Sequence, residues 1–279
     1  MENRTITSCT LKKYKEALIG EEKSAVTAEK YCRDICAFAL FTGDKPITKE
    51  LVVEYKQYLV QKGYAVRSVN SKIASLNSFF EFMGWQDCKT KSIKQQREVF
   101  CTEEKELTKS EYIRLVNAAS NQPRLQLIIK TICGTGIRVS ELKYFTVEAV
   151  RSGTVSVACK GKNRRIFIPG ELKKLLLKYA AKSGIRSGVI FRTKNEKPID
   201  RSNIWSMMKK LCARAKVASS KVFPHNLRKL FARTFYRAEK DIAKLADILG
   251  HSSINTTRIY IISTGAEHRR TMERLGLVV

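Results

Sequence analysis

A chain of 279 residues is long for one domain and comfortable for two, and each half has enough residues to bury a core of its own. Its 53 Lys+Arg stand against 26 Asp+Glu, a formal charge of +27, and the excess is uneven: +5 over residues 1–100 and +22 over residues 101–279. With 43% apolar residues set at helical spacing a disordered basic tail is excluded, so a folded basic surface facing a polyanion is expected, nucleic acid before any other; a merely basic soluble protein is the plainer alternative.

Residues 9 to 98 read as helices only. Thr27 to Phe41 carries Tyr31, Ile35, Phe38 and Phe41 near helical spacing, and Gly43 stops it. Thr48 opens a second segment with Leu51, Tyr55, Tyr58 and Leu59 on one side. Arg67 to Met83 is the clearest case, with Val69, Ile73, Leu76, Phe80 and Met83 on one stripe, ended by Gly84-Trp85. The other face holds Arg67, Ser68, Asn70, Ser71, Lys72 and Ser75, and short polar groups mixed with cations suit phosphate contact. A solvated helix face is the plain reading of the same residues.

Residues 89–107 are polar and charged and read as the linker region, with the boundaries set at 1–98, 99–107 and 108–279. Thr108-Lys109-Ser110-Glu111 has capping-box spacing and starts a helix; another runs from Pro123 to Cys133. Thr154 to Ala158 and Arg165 to Ile168 alternate, which predicts a β-hairpin whose cationic tip is Cys159-Lys160-Gly161-Lys162-Asn163-Arg164. Helices resume at Glu171–Ala181, Ser202–Ala215, His225–Ala238, Asp241–Leu249, Ser253–Ile262 and Glu267–Arg274. The expected fold is mainly α with one small β-hairpin: an all-helical N-terminal domain, then an α+β domain.

The eight cysteines form no Cys-x-x-Cys pair, and we expect reduced, mostly buried thiols without metal or disulfides. The start Met1-Glu2-Asn3-Arg4 is polar and no apolar run approaches the ~18 residues of a membrane span. No signal peptide, no membrane contact and a cytoplasmic location are therefore expected.

Three short segments carry chemistry. The first is Thr135-Gly136-Ile137-Arg138-Val139-Ser140-Glu141-Leu142, which sets Arg138 after a turn at the start of a short helix, where backbone N–H groups favour an anion, with Glu141 one turn on. The second is Pro224-His225-Asn226-Leu227-Arg228, whose His225 and Arg228 share a helix face. The third is Leu249-Gly250-His251, with Tyr260 nine residues past the histidine; Ile259 and Ile261 are the expected buried anchors around it. Two of only three histidines fall in these segments, and the third, His268, has no chemical company. A tyrosine can attack a phosphodiester, and arginines and histidines can neutralise the phosphorane that this attack forms, so phosphodiester cleavage is the chemistry this set suits.

In this order and spacing, with the lysine hairpin between, the segments resemble the tyrosine recombinases, the phage integrase family that includes the Xer type. The resemblance covers nearly the whole chain, down to Phe79-Phe80-Glu81-Phe82 at the end of a helical, SAM-like core-binding domain. It implies two lobes that clamp double-stranded DNA at inverted-repeat core sites. Tyr260 would form a 3′-phosphotyrosyl bond, Arg138 and Arg228 would hold the non-bridging oxygens, and His251 would hydrogen-bond the same phosphate. His225 would assist proton transfer, and Lys160, in preference to Lys162, would protonate the leaving 5′-oxygen. Arg67, Ser68, Asn70, Ser71, Lys72, Lys162 and Arg164 are the expected DNA contacts. No cofactor and no metal are called for. The resemblance further implies a homotetramer on DNA in the nucleoid, with the tail 267–279 docking on a neighbour, and leaves open a second recombinase or an accessory protein. Integration, excision or resolution of DNA is the expected outcome; the alternatives are a type IB topoisomerase-like relaxing enzyme and a non-catalytic DNA-binding protein on the same fold.

Overall fold

The computed structural model describes residues 4–43, 45–94, 105–159, 162–193, 195–262 and 265–275. The chain divides into two compact units, residues 1–97 and 98–279.

The first unit is built from α1 (Ser8–Gly20), α2 (Ala25–Thr42), α3 (Lys49–Gln61) and α4 (Val66–Phe82), followed by a short 3-10 turn at Gln86–Cys88. Side-chain oxygens of Thr7, Ser24 and Thr48 accept from backbone N–H groups that have no partner inside α1, α2 and α3. Gly43 ends α2 at φ +54°. The apolar stripe of α4 turns Val69, Ile73, Leu76, Phe79 and Phe80 into a core where Phe38, Tyr55 and Phe80 pack edge to face.

The polar face of α4 departs from the sequence expectation. Only Arg67, Ser68 and Ser71 are exposed. Ser71 accepts from Lys30 Nζ at 2.8 Å, and Lys72 reaches the buried Asp34 carboxylate at 3.4 Å. Asn70 holds both amide groups of Ile93, donating to its carbonyl at 3.0 Å and accepting from its N–H at 2.8 Å, and Asn77 does the same for Thr90. A carboxamide has one donor end and one acceptor end, so it pairs with a passing strand of backbone as a second strand would. Residues 89–94 are thereby fastened to α4 rather than forming linker, and Asn70 is committed to that clamp.

The second unit contains α5 (Lys109–Ala118), α6 (Pro123–Thr135), a 3-10 helix at Val139–Tyr144, α7 (Val147–Ser152), strands β1 (Thr154–Cys159) and β2 (Lys162–Phe167), then α8 (Gly170–Lys182), α9 (Arg201–Ala215), α10 (Pro224–Glu239), α11 (Ile242–Leu249), α12 (Ile254–Ile261) and α13 (Gly265–Arg274). Thr108 and Glu111 form the expected reciprocal cap on α5. At the edge of the expected linker, Leu107 is buried and Glu106 is 7% exposed, paired with Lys229 at 3.3 Å and with Arg233. Those two residues are part of this unit's packing.

The antiparallel pair runs in register from Thr154 opposite Phe167 to Cys159 opposite Lys162. Lys162, Asn163 and Arg164 are therefore strand residues, paired with Cys159, Ala158 and Val157. Val155, Val157, Ile166 and Ile168 turn inward. Arg164 lies on the same alternating face, which explains its inward course.

The cysteines also depart from the expected pattern. Cys88 and Cys212 are buried, but Cys9 and Cys36 are exposed. Cys36 occupies the side of α2 opposite Ile35 and Phe38. Cys101 and the Cys159 side chain lie outside the described residues. Among the described residues no helix is long and apolar enough to cross a membrane.

Candidate active site

Three turns bring the sequence segments together. Gly136 caps α6 at φ +65° and Gly250 caps α11 at φ +63°, left-handed conformations in which L side chains are strained. A Cβ on Gly136 would lie 2.3 Å from Phe231, and one on Gly250 would lie 2.7 Å from Arg164. Both chain reversals therefore pass flush against packed side chains. Pro224 opens α10, which carries His225 and Arg228 on one face.

Arg228 is the largest fully buried side chain among the described residues, 1% exposed. It donates to Gly136 O at 2.6 Å and to Leu249 O at 2.6 Å, and its Nη2 lies 3.0 Å from His251 Nε2. Among the described residues its Nε has no hydrogen-bond partner. Burial and the adjacent Arg138 lower its pKa to about 10, which leaves it a cation at neutral pH.

Arg138 precedes the 3-10 helix. Its Nη1 donates to Glu141 Oε1 at 3.0 Å, its Nη2 to Gly250 O at 3.1 Å, and its backbone N–H to Glu141 Oε2 at 2.7 Å. Glu141 is 3% exposed and also accepts from Arg164 at 2.5 Å. A second Arg164 donor goes to Ile248 O. Ile248, Leu249 and Gly250 thus offer three successive carbonyls, and each accepts from a different arginine: Arg164, Arg228 and Arg138. The C-terminal end of a helix carries partial negative charge, so it is a suitable place to gather cations that repel one another. Arg164, expected at an exposed hairpin tip, is instead a strut between β2, Glu141 and α11.

His251 Nδ1 lies 2.9 Å from the hydroxyl of Thr257. Arg228 can only donate, so His251 Nε2 accepts and Nδ1 carries the proton toward Thr257. Burial first, then the charges of Arg228, Arg138 and Arg164, depress its pKa to about 4. His225 is also pushed down, by desolvation and by Lys229, Arg228 and Arg138, against a smaller opposing pull from Glu106. Both imidazoles are neutral at neutral pH.

Tyr260 is 9% exposed, packed with Ala232, Leu245 and Leu249. Its ring centroid lies 5.0 Å from that of His225 and 4.9 Å from that of His251, with the Arg228 guanidinium 5.9 Å from the ring centre. The expected buried anchors are its neighbours, but Ile259 is 46% exposed and Ile261 is half-buried. On α12 residues 257 and 260 share the face turned to α10 and α11, which puts 259 outward.

A cavity of about 740 Å³ opens beside Arg138, His225 and Arg228, and is lined also by Arg201, Trp205 and Phe223. Trp205 and Arg201 had no part in the sequence reading; nothing in their local spacing separates a cavity wall from a solvated helix face. Lys160 lies outside the described residues, and of Lys162 only the backbone, paired with Cys159, is described. A buried guanidinium with an unused N–H, a second guanidinium and the neutral imidazole of His225 around one cavity, with His251 behind them against Arg228, make an anion site with a proton acceptor at hand.

Comparison with known proteins gives this arrangement its relatives. The model of the phage integrase family matches residues 105–267, and that of the phage integrase N-terminal SAM-like domain matches residues 11–87. Tyrosine recombinase XerA of Pyrococcus furiosus is 29% identical over 100% of this chain and 98% of its own length. The crystal structure of XerA recombinase is 26% identical, covers 98% of this chain and 100% of that one, and superposes with a TM-score of 0.55. A lambda integrase dimer bound to a COC′ core site shares the fold, with a TM-score of 0.75 at 19% identity over 93% of this chain and 96% of that one. The catalytic-domain model alone spans more than half of the sequence, and the chain belongs to the phage integrase family of tyrosine recombinases.

Proposed function

We propose that this DNA breaking–rejoining enzyme cleaves duplex DNA with Tyr260 on a phosphate held by Arg138 and Arg228. The observation that carries the reading is the unpartnered Nε–H of Arg228, an otherwise fully buried cation lining a cavity beside Arg138, His225 and the Tyr260 ring. A buried donor without an acceptor is costly, and a phosphate oxygen is the acceptor that a site of this charge would draw.

In the proposed step the phenolic oxygen bonds to phosphorus as the bond to the 5′-oxygen breaks. The product is a 3′-phosphotyrosyl link and a free 5′-hydroxyl. A free tyrosine has a pKa of about 10, so a proton acceptor is needed. Neutral His225, whose ring lies beside that of Tyr260, takes the phenolic proton. His251 donates to the phosphate. The leaving oxygen takes its proton from Lys160, with Lys162 as the alternative donor. The intermediate keeps the bond energy for rejoining, so no nucleotide is spent.

Around this chemistry we place site-specific recombination at inverted-repeat core sites, by a homotetramer whose tail 267–279 docks on a neighbour, with a second recombinase or an accessory protein as an open requirement. The exposed Arg67, Ser68 and Ser71 of α4 are the proposed phosphate contacts of the first unit. Residues 1–98 act as the core-binding domain and 108–279 as the catalytic domain. The setting is the bacterial cytoplasm, on the nucleoid.

Nicked suicide duplexes carrying the DNA that flanks the gene test the reading. Wild type forms a covalent adduct that maps to Tyr260, and Tyr260→Phe binds without forming one. Salt-sensitive binding by both proteins with no adduct, even with cell extract added, would leave a DNA-binding protein. Relaxation of any plasmid regardless of site would make it a topoisomerase.

A further inference from the structure

His251 is held in one tautomer by two neighbours of different kinds. Arg228 Nη2, 3.0 Å from Nε2, is an obligatory donor. The Thr257 hydroxyl, 2.9 Å from Nδ1, both donates and accepts. Thr257 is fully buried, 0% exposed, three residues before Tyr260 on α12. In the DNA-free arrangement Nδ1–H donates to Thr257 and Nε2 receives from Arg228.

That arrangement points a lone pair, not a proton, at the side where the phosphate is proposed to sit. For the neutral ring to donate to phosphate, Nε2 must carry the proton and Nδ1 must then receive one from its partner. A carboxylate or carbonyl beside Nδ1 would hold the proton there; an ammonium or a guanidinium would repel it permanently. A hydroxyl serves both states by rotating about one bond. The doubly protonated ring is the other way to obtain a donor at Nε2. Burial and the cations Arg228, Arg138 and Arg164 oppose it.

We propose that Thr257 is a positioning residue that lets His251 exchange tautomers, so that Nε2 changes from accepting from Arg228 to donating to the scissile phosphate when DNA binds. The exchange is neutral overall: Nδ1 releases one proton to solvent, Nε2 takes one from solvent, and the Thr257 hydroxyl turns from acceptor to donor. This rests on the reading that His251 contacts the phosphate.

Two substitutions separate the hydroxyl from the packing. Thr257→Val keeps the shape and loses the hydroxyl; Thr257→Ser keeps the hydroxyl and loses a buried methyl. The expected result is adduct formation near the wild-type rate in Thr257→Ser and slower by about tenfold or more in Thr257→Val, with DNA affinity equal in both. The reverse order would assign Thr257 to packing alone and overturn the proposal. Imidazole nitrogen NMR on the Tyr260→Phe protein gives a readout independent of activity: His251 goes from the Nδ1–H to the Nε2–H form on binding a duplex, and with Thr257→Val added it does not. One tautomer in both states of the Thr257 protein would also overturn it. His251→Ala is run alongside. Undiminished adduct formation there would remove the phosphate role itself, whereas a slow His251→Ala beside a fast Thr257→Val would remove only the role of Thr257.

Discussion

Arg164 and Glu141 meet at 2.5 Å, and the same carboxylate holds the side chain and the backbone N–H of Arg138. One buried carboxylate therefore ties the β-hairpin to the turn that carries Arg138. A carboxylate flanked by two guanidiniums is far more stable than either guanidinium alone in the same place. Glu141→Gln is expected to destabilise the protein by roughly 2 kcal/mol in urea unfolding, because the mostly buried Arg164 loses its counter-charge, while solvent screens much of the loss at the part-exposed Arg138. Adduct formation should fall further than stability explains, since Arg138 loses its anchor. Unchanged stability would mean that the arginines re-pair elsewhere.

The cluster of Arg138, Arg164 and Arg228 against a single carboxylate should bind inorganic anions. Sulfate or phosphate at about ten times its dissociation constant is expected to stabilise the folded chain by on the order of 1–2 kcal/mol, read as a rise in Tm. Arg138→Ala should abolish most of that rise. A rise equal in the variant would place the anion elsewhere on this basic surface.

Arg228→Lys keeps a charge but not the fork. Lysine cannot bridge Gly136 O and Leu249 O while also reaching His251 and a phosphate. We expect a loss of about 100-fold or more in adduct formation together with a lower Tm. Wild-type rates would show that only the charge matters.

The folded protein holds His251 with a pKa of about 4 against an ordinary value of 6.5, and Arg228, Arg138, Arg164 and His225 face it. The unfolded chain thus binds the extra proton first. The stability that comes from keeping this ring neutral is complete above pH 6.5 and is lost as the pH falls toward 4, and the depressed His225 adds in the same direction. Tm should therefore fall more steeply over this range in wild type than in His251→Asn. Parallel profiles would contradict the assignment.

On α4, Arg67 and Asn70 are expected to behave differently although they are three residues apart. Arg67→Ala should weaken DNA binding and reduce the salt slope by about one. Asn70→Ala should lower the stability of the first unit, because it frees both backbone groups of Ile93. A salt-slope change in Asn70→Ala would return that residue to the DNA surface.

Helical stripes such as Val69, Ile73 and Leu76, the Thr108 cap and the hairpin alternation were legible in the sequence because each is set by neighbours within a few positions. The segments around Arg138, Arg228 and His251 were legible too, through their order along the chain. What escaped was the outcome of contacts between distant positions. Arg164 reaches a carbonyl 84 residues away and Arg138 one 112 residues away. No local pattern marks Arg164 as turning inward beyond its sharing a face with Ile166 and Ile168, and its charge argues the other way. Around Tyr260 the sequence offers Ile259 and Ile261 as the buried anchors. The helix instead turns its tyrosine toward two imidazoles and an arginine, partners that become neighbours only after folding. Asn70 looked like a phosphate contact for a similar reason: the backbone it clamps lies 23 residues on.

The three successive carbonyls at the end of α11 also set a limit on how this chain can vary. A helix of eight residues, Ile242–Leu249, acts as a jig, and its angular register decides which arginine meets which oxygen. Inserting or deleting one residue within it would turn that end by about 100°, moving three guanidiniums and His251 out of alignment together. Side chains on its solvent face are free to change, but its length is not, and natural insertions in this part of the chain should fall before Asp241 or after Tyr260, never between them.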